Sequence, residues 1–299
     1  MDAAELNAGP IDLDEAVLQR LARVADRVLA APPGFRHGPW QHPRRAGAGQ
    51  EFLDFAAHVP GADARRIDWR ASARAPRLLE RRHLDASISE WCVCLDRSAS
   101  MAAAGANKPR LAARLAAAMT YILLHREHAV AFVAFSDRIE DRCPPGRGRA
   151  HYARVLRRLA RPGGDGRGSR LELCAAQVAR RECVVVVSDF LAPDAMRVGL
   201  MRLLRRGGQV HALQVLDADE CAPGVSGAAL LGDAESEQVF AVADVQQAAH
   251  AAGRALARQQ RELRAFCARH AIGFSVCLTG EAWQDVLLRH LSRTRRFDA

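Results

Sequence analysis

Three oxygen-bearing side chains stand at alternate positions directly after an apolar run. The run is WCVCL at residues 91–95, and Asp96, Ser98 and Ser100 follow it as D-x-S-x-S. In a locally extended loop, residues at i, i+2 and i+4 project to one side, so one carboxylate and two hydroxyls converge. Hard oxygen donors of this kind suit Mg²⁺ or Mn²⁺ better than Ca²⁺ at this low ligand number. The spacing therefore predicts a divalent metal site.

Two further residues are predicted to reach the same site from other parts of the chain. Asp189 ends the apolar run VVVVSD, and Ser169 lies in the turn GGDGRGSRLE, just before a predicted helix. The carboxyl ends of parallel strands meet at one edge of a sheet, where the ligands of α/β proteins bind. The predicted metal ligands are therefore Asp96, Ser98, Ser100, Ser169 and Asp189. Two carboxylates would leave the cation able to accept an acidic side chain from a protein partner.

Each of these residues also has a simpler explanation. Asp and Ser are favoured helix N-caps and turn residues, so D-x-S-x-S and the Gly-Ser before a helix could serve only as caps. Asp189 could end a strand and cap the next turn. Ser136-Asp137 ends another apolar run, and a structural loop is the favoured interpretation there. In that case the chain is a scaffold with a vestigial site.

Alternating elements along the chain would position these side chains. The sequence predicts strands that end at Leu95 and that span 129–135, 183–189, 209–216 and 272–278. Helices are predicted over 108–126, 150–160, 170–181, 194–206 and 244–269, with a β-hairpin over 226–241 and a closing helix from about 283. This alternation predicts an α/β fold with a mostly parallel sheet and helices on both faces.

Residues 1–88 are expected to form a small extension of the main domain, which spans 89–299. An amphipathic helix is predicted over 14–31, ending at Pro32-Pro33, and the rest of the extension is expected to be rich in β-strands. Within it, the segment GADARRIDWRASAR at 61–74 is expected to pack Trp69 and Ile67 against the main sheet. An interaction surface is the alternative role for this segment.

Two sequence signatures together resemble known families. D-x-S-x-S after a strand, a hydroxyl in a Gly-rich turn and S-D after V-V-V-V resemble the metal-ion-dependent adhesion site of von Willebrand factor A domains. Residues 61–74 resemble the G-D-D-x-R-x-I-D-W-x-x-S-A-R signature of the domain-of-unknown-function 58 family, from which Ala62 departs. In this resemblance the metal-site threonine of the adhesion site corresponds to Ser169, or to a position one or two residues away. The resemblance extends from about residue 15 to the C-terminus.

This resemblance implies a fold and a set of partners. The fold would be von Willebrand factor A-like, or Rossmann-like, and the chain would be a metal-dependent adaptor for a MoxR-type AAA+ ATPase. The alternative is a metal-dependent hydrolase that uses Asp96 in phosphoryl transfer. The sequence has no G-x-x-x-x-G-K-[ST] loop, no G-x-S-x-G elbow and no D-x-D after the first strand. We therefore expect no enzyme activity.

Composition narrows the cellular setting and the class of partner. The net charge of +9 suggests a nucleic-acid partner. The arginines are spread along the chain, however, and two tyrosines offer few stacking surfaces, which argues against nucleic-acid binding. Among 43 basic residues only Lys108 is lysine. The acidic start lacks the positive region of a secretory signal, and no apolar run approaches the about 20 residues of a membrane span. With eight cysteines and no C-x-x-C, we expect a cytoplasmic protein with reduced thiols and no membrane partner.

Overall fold

The helices and strands were assigned in a computed structural model that describes residues 13–29, 45–58, 67–85, 90–103, 105–163, 166–179, 182–206, 208–221, 229–232, 239–242 and 244–294. Within these ranges the helices are α1 (Glu15–Leu29), α2 (Trp69–Ser72), α3 (Ala99–Ala103), α4 (Asn107–His125), α5 (Gly148–Leu159), α6 (Cys174–Gln177), α7 (Pro193–Leu204), α8 (Ala218–Cys221), α9 (Val245–Arg269) and α10 (Trp283–Thr294). The strands are β1 (Arg45–Ala57), β2 (Leu79–Asp85), β3 (Glu90–Asp96), β4 (Ala129–Phe135), β5 (Ile139–Gly146), β6 (Cys183–Ser188), β7 (Val210–Leu216), β8 (Ala229–Gly232), β9 (Val239–Val242) and β10 (Gly273–Leu278). None of the helices in these ranges is both long and apolar enough to cross a bilayer.

The main sheet is mixed but mostly parallel. In the described part of the chain it has six strands in the order β10-β7-β6-β3-β4-β5, of which only the edge strand β5 runs antiparallel to its neighbour. Strands β3, β4 and β7 are buried along almost their whole length, which explains why they read as continuous apolar runs. The prediction of an α/β fold with a mostly parallel sheet is confirmed.

Helices cover both faces of this sheet. Cys92 and Cys94 lie on one face, in a buried cluster with Leu200 of α7 and Phe266 of α9. Successive side chains of a strand alternate between faces, so Trp91 lies on the other face, where α4 and α10 pack. Two layers of helices therefore shield the strands from water.

The chain divides into two compact units, Met1–Ala30 with Glu90–Ala299, and Ala31–Ser89. Helix α1 contacts α4 and α10, and Arg126 donates a hydrogen bond to Asp26 at 2.6 Å. The buried stripe of this helix comprises Leu18, Leu21, Ala22 and Ala25. The sequence placed this helix in the N-terminal extension, whereas burial of its apolar stripe groups it with the main unit.

In the second unit, β1 and β2 form an antiparallel pair. Residues 61–66 of the signature segment lie outside the described residues. Asp68 caps α2, because its Oδ1 accepts hydrogen bonds from the amides of Arg70 and Ala71, both at 3.0 Å. Ile67 is buried, whereas Trp69 is 65% exposed.

Two sequence predictions for the main unit need correction. The helix predicted over 170–181 is only a 3₁₀ turn (Leu171–Leu173) followed by α6, and the chain is extended at Val178. Helix α7 packs tightly there, since a Cβ on Gly199 would lie 2.6 Å from Leu171. Strand β5 was not predicted, because its sequence IEDRCPPG carries charges and two prolines, which are tolerated at a sheet edge.

The hairpin segment and the last strand complete the unit. Strands β8 and β9 pair antiparallel, and the residues between them, 233–238, lie outside the described residues. Asp244 caps α9 by accepting a hydrogen bond from the amide of Gln247 at 3.0 Å. Strand β10 then pairs in parallel with β7 at the edge of the sheet.

Candidate metal centre

The predicted ligands lie where the strand order of the main sheet reverses. Strands β3 and β6 are parallel neighbours, with Leu95 opposite Val187, so Asp96 and Asp189 emerge from the same edge. From β3 the chain proceeds to β4 on one side, whereas from β6 it proceeds to β7 on the other. The two connections diverge and leave a crevice between the strand ends, the usual ligand position in open α/β sheets.

The Asp96 carboxylate is hydrogen-bonded to residues from three parts of the chain at this crevice. Its Oδ2 accepts hydrogen bonds from the hydroxyls of Ser169 at 2.7 Å and Ser188 at 2.6 Å. Its Oδ1 accepts from the amide of Ser98 at 2.9 Å. Asp96 is only 2% exposed, so these contacts satisfy a carboxylate that water scarcely reaches.

The two serines of D-x-S-x-S lie side by side. Their Oγ atoms are 3.0 Å apart, and Ser98 forms a parallel bridge with Gly166 of the Gly-rich turn. The amide of Ala99 also donates to the carbonyl of Gly166 at 2.9 Å. This turn thereby brings Ser169 to Asp96.

Gly166 is required by close packing of that turn. A Cβ at this position would lie 2.2 Å from the Cβ and Oγ of Ser136. The carbonyl of Ser136 accepts a hydrogen bond from the amide of Arg170 at 2.8 Å, next to Ser169. Ser136 therefore packs against this turn, a structural role of the kind favoured for the Ser136-Asp137 pair.

Asp189 has a charged partner that the sequence analysis did not identify. Lys108 of α4 donates from Nζ to Asp189 Oδ2 at 2.9 Å, to Glu220 Oε1 at 2.7 Å and to the carbonyl oxygen of Ser100 at 3.1 Å. Asp189 Oδ1 accepts from the amide of Leu191 at 3.2 Å. Both oxygens of Asp189 therefore have protein partners.

Burial and charge shift the pKa values of these groups. Burial, followed by the nearby charge of Asp189, raises the pKa of Asp96 to about 7, although the hydrogen bonds from Ser188, Ser169 and Ser98 act in the opposite direction. Burial lowers the pKa of Lys108, but the charge of Asp189 and the hydrogen bonds to Glu220 and Asp189 outweigh it, so the net shift is upward. Lys108 is therefore an ammonium.

The donor set fits a hard divalent cation. Asp96, Ser98, Ser100 and Ser169 contribute carboxylate and hydroxyl oxygens at one place, and Mg²⁺ and Mn²⁺ are bound by oxygen ligands that often include water. Among the described residues, no group of three or more His, Cys, Asp or Glu side chains could hold a metal. A metal at this site would therefore depend on hydroxyls and water.

Residues 55–263 match the family described as "Protein of unknown function DUF58". The chain belongs to this family. Uncharacterized protein Mb1516 of Mycobacterium bovis and uncharacterized proteins MT1527 and Rv1480 of two Mycobacterium tuberculosis strains are each 32% identical over 202 residues. These matches cover 64% of this chain and 62% of each relative, so less than two thirds of the relatives' own length is spanned.

Two solved structures are distantly similar to this DUF58 chain. BatB from Bacteroides thetaiotaomicron is 13% identical with a TM-score of 0.38, covering 70% of this chain and 99% of BatB. A structure described as an aerotolerance-related membrane protein from Bacteroides fragilis, with multiple mutations to serines, is 15% identical with a TM-score of 0.33. It covers 69% of this chain and 99% of that one.

Sequence reasoning missed three residues of the candidate site. Ser188 donates to Asp96, and Lys108 and Glu220 form the ion pair beside Asp189. One signal was available, because Lys108 is the single lysine in a chain that otherwise uses arginine. Ser188 adjoins Asp189 in the S-D pair, of which only Asp189 was predicted as a ligand.

Proposed function

We propose that this chain is a protein-binding module that depends on Mg²⁺ or Mn²⁺. Asp96, Ser98, Ser100 and Ser169 would hold the cation, with Asp189 beside them. The observation that carries the proposal is the convergence of these oxygens from three loops on one crevice, through the hydrogen bonds of Asp96. A bound cation would supply a positively charged coordination position there.

The charge balance of the crevice favours an acidic partner. Lys108 is shared between Asp189 and Glu220, so Asp96 is the carboxylate without a cationic partner among the described residues, and it would bind a divalent cation directly. With one carboxylate among its ligands, the cation and its ligands would carry a positive charge, which attracts a Glu or Asp side chain from another protein. The site would then resemble the metal-ion-dependent adhesion site of von Willebrand factor A domains, and the sheet order is compatible with such a fold.

Family resemblance supports a particular partner. We propose a MoxR-type AAA+ ATPase, for which this chain would act as an adaptor in the cytoplasm. The seven cysteines whose side chains the structure describes are free thiols, which is compatible with a reducing compartment.

A metal-dependent hydrolase using Asp96 is the alternative. Asp96 is poorly placed as a nucleophile, because it is buried and both of its oxygens accept hydrogen bonds. Turnover of a generic phosphate ester by the wild type that disappears in Asp96→Asn would favour the hydrolase over the binding module.

Binding of a purified MoxR-type ATPase to the immobilised chain tests the proposal. We expect binding in MgCl₂ and a large loss in EDTA, greater than the loss caused by raising salt, which screens only exposed charges. Asp96→Asn should bind as weakly as the wild type in EDTA, and Asp137→Asn, at the end of the neighbouring strand, should bind normally. Binding that is insensitive to EDTA and to Asp96→Asn would refute the proposal.

A further inference from the structure

Lys108 is a buried cation with every donor in use. Its side chain is 0% exposed, and its ammonium donates to Asp189, Glu220 and the carbonyl of Ser100. An ammonium has three donors, and these three acceptors account for all of them. They come from three separate elements, namely α3, the loop after β6 and α8.

The geometry of this contact explains why lysine occurs here. An ammonium is a compact point charge that can face three acceptors in different directions, whereas a guanidinium is a wide planar fork suited to one carboxylate. All other basic residues of the chain are arginine. The single lysine therefore lies where three oxygen acceptors surround a small buried space.

The contact between Lys108 and Glu220 also links the crevice to the loops after β7 and β10. Glu220 accepts from Lys108 with one oxygen and from the amide of Asp217 with the other, at 2.8 Å. Asp217 in turn accepts from the hydroxyl of Thr279 at 2.9 Å. Removal of the ammonium would release Asp189 and Glu220 together.

We propose that Lys108 is a built-in cation that holds Asp189 back from a bound metal and so weakens the affinity of the crevice for divalent cations. This inference rests on the proposed metal site. The ammonium uses Asp189 Oδ2 and lies 3.1 Å from the carbonyl of Ser100, a predicted ligand residue. It therefore repels an incoming cation and occupies the second carboxylate. A weakly held metal would gain affinity when a partner adds an acidic ligand, and the partner would gain affinity from the metal in equal measure.

Titration of the metal-stripped full chain with MnCl₂ tests this, with free Mn²⁺ measured by its electron paramagnetic resonance signal. Lys108→Met keeps most of the length of the unbranched side chain and removes its charge, and we expect about tenfold tighter Mn²⁺ binding or more, since a unit charge beside the site is lost. The gain should be smaller when Asp189→Asn is also present, because the site then has no second carboxylate to offer to the metal. Arg110→Met, on the exposed side of the same helix, should bind like the wild type.

A second variant controls for misfolding of Lys108→Met. Lys108→Met with Glu220→Gln removes one cation and one anion, and it should fold and bind Mn²⁺ more tightly than Glu220→Gln alone. Unchanged or weaker Mn²⁺ binding in both Lys108 variants, with normal binding by the wild type, overturns this inference and leaves the metal site standing. Tighter Mn²⁺ binding by Lys108→Met than by the wild type, and by the double variant than by Glu220→Gln, supports it. Failure of all of these proteins to bind Mn²⁺ overturns both proposals.

Discussion

The two ends of the main sheet bury polar groups in different ways. At the carboxyl end, Lys108 and Asp189 form a fully buried ion pair. At the amino end, Trp91 stacks on His211 with ring centroids 5.6 Å apart, and His290 meets His211 edge-on at 5.4 Å. Burial lowers the pKa of His211 well below its ordinary value and that of His290 to about 4, so both imidazoles are neutral.

This difference indicates which end serves a function. Buried ion pairs often contribute less to stability than well-packed apolar groups of similar volume, whereas neutral rings pack at lower cost. The amino end therefore requires no explanation beyond packing. The carboxyl end retains charges where an apolar core would be at least as stable, and this favours a role in binding there.

The largest expected effect on stability comes from breaking the ion pair. Lys108→Met should lower the free energy of unfolding by about 3–5 kcal/mol, because Asp189 stays buried without its partner. Urea unfolding followed by circular dichroism measures the change. Arg110→Met is the matched control and should lie within about 0.5 kcal/mol of the wild type. Equal stability of the two variants would mean that the ion pair is not formed in solution.

Acid should affect the two ends in opposite directions. His290 takes up a proton near pH 6.5 when unfolded but near pH 4 when folded, so its contribution of about 3 kcal/mol is lost as pH falls through that window. The pKa of Asp96 is raised to about 7, so the folded chain takes up a proton first and gains stability as pH falls from 7 towards 4.

Single variants separate these two contributions. Urea unfolding in EDTA between about pH 7 and pH 4.5 should show a steeper loss of stability in Asp96→Asn than in the wild type, and a shallower loss in His290→Asn. Parallel pH profiles for all three proteins would show that neither group titrates as described. Profiles that diverge as expected would show that Asp96 titrates at the carboxyl end of the sheet and His290 at the amino end.

A smaller effect is expected from the turn that carries Ser169. Gly166→Ala would push a Cβ against Ser136 and should cost about 1–3 kcal/mol while weakening metal binding, because Ser169 moves away from Asp96. Ser136→Gly in the same chain opens space for the new methyl group. It should restore much of the lost stability, and failure to do so would place the damage elsewhere.

The smallest effect is expected at the neighbouring strand end. Asp137 is partly exposed and pairs with Arg138, whose side chain is 58% exposed, at 3.2 Å. Asp137→Asn should change the free energy of unfolding by less than about 0.5 kcal/mol and leave metal binding unaltered. A large change in either measurement would extend the site beyond the crevice.

Much of the fold could be predicted from the apolar pattern. Strand β4 spans the residues predicted for it, and β3, β6 and β7 agree within one or two residues, because strands buried on both faces are continuous apolar runs. Edge strand β5 could not be predicted, since it has one paired side and an ordinary loop composition. The extent of helix within residues 170–181 depends on packing against α7, which no local pattern reveals.

The candidate site was predictable where its residues follow strands, and at Ser169, which lies in a Gly-rich turn. Asp96 and Asp189 lie together because parallel strands end at one edge, and that rule can be applied to sequence alone. Their position between diverging connections depends on the strand order, which the sequence did not supply. Lys108 comes from a helix, and a long side chain meets its partners only after the helix has packed.

Calorimetric titration of MnCl₂ into the metal-stripped wild type, Asp96→Asn and Asp137→Asn tests the central claim most directly. The account predicts binding at a single site in the wild type and in Asp137→Asn, with that binding lost in Asp96→Asn, because Asp96 joins the three loops that carry the oxygens. Heats that are the same in the wild type and Asp96→Asn, whether large or negligible, would contradict it.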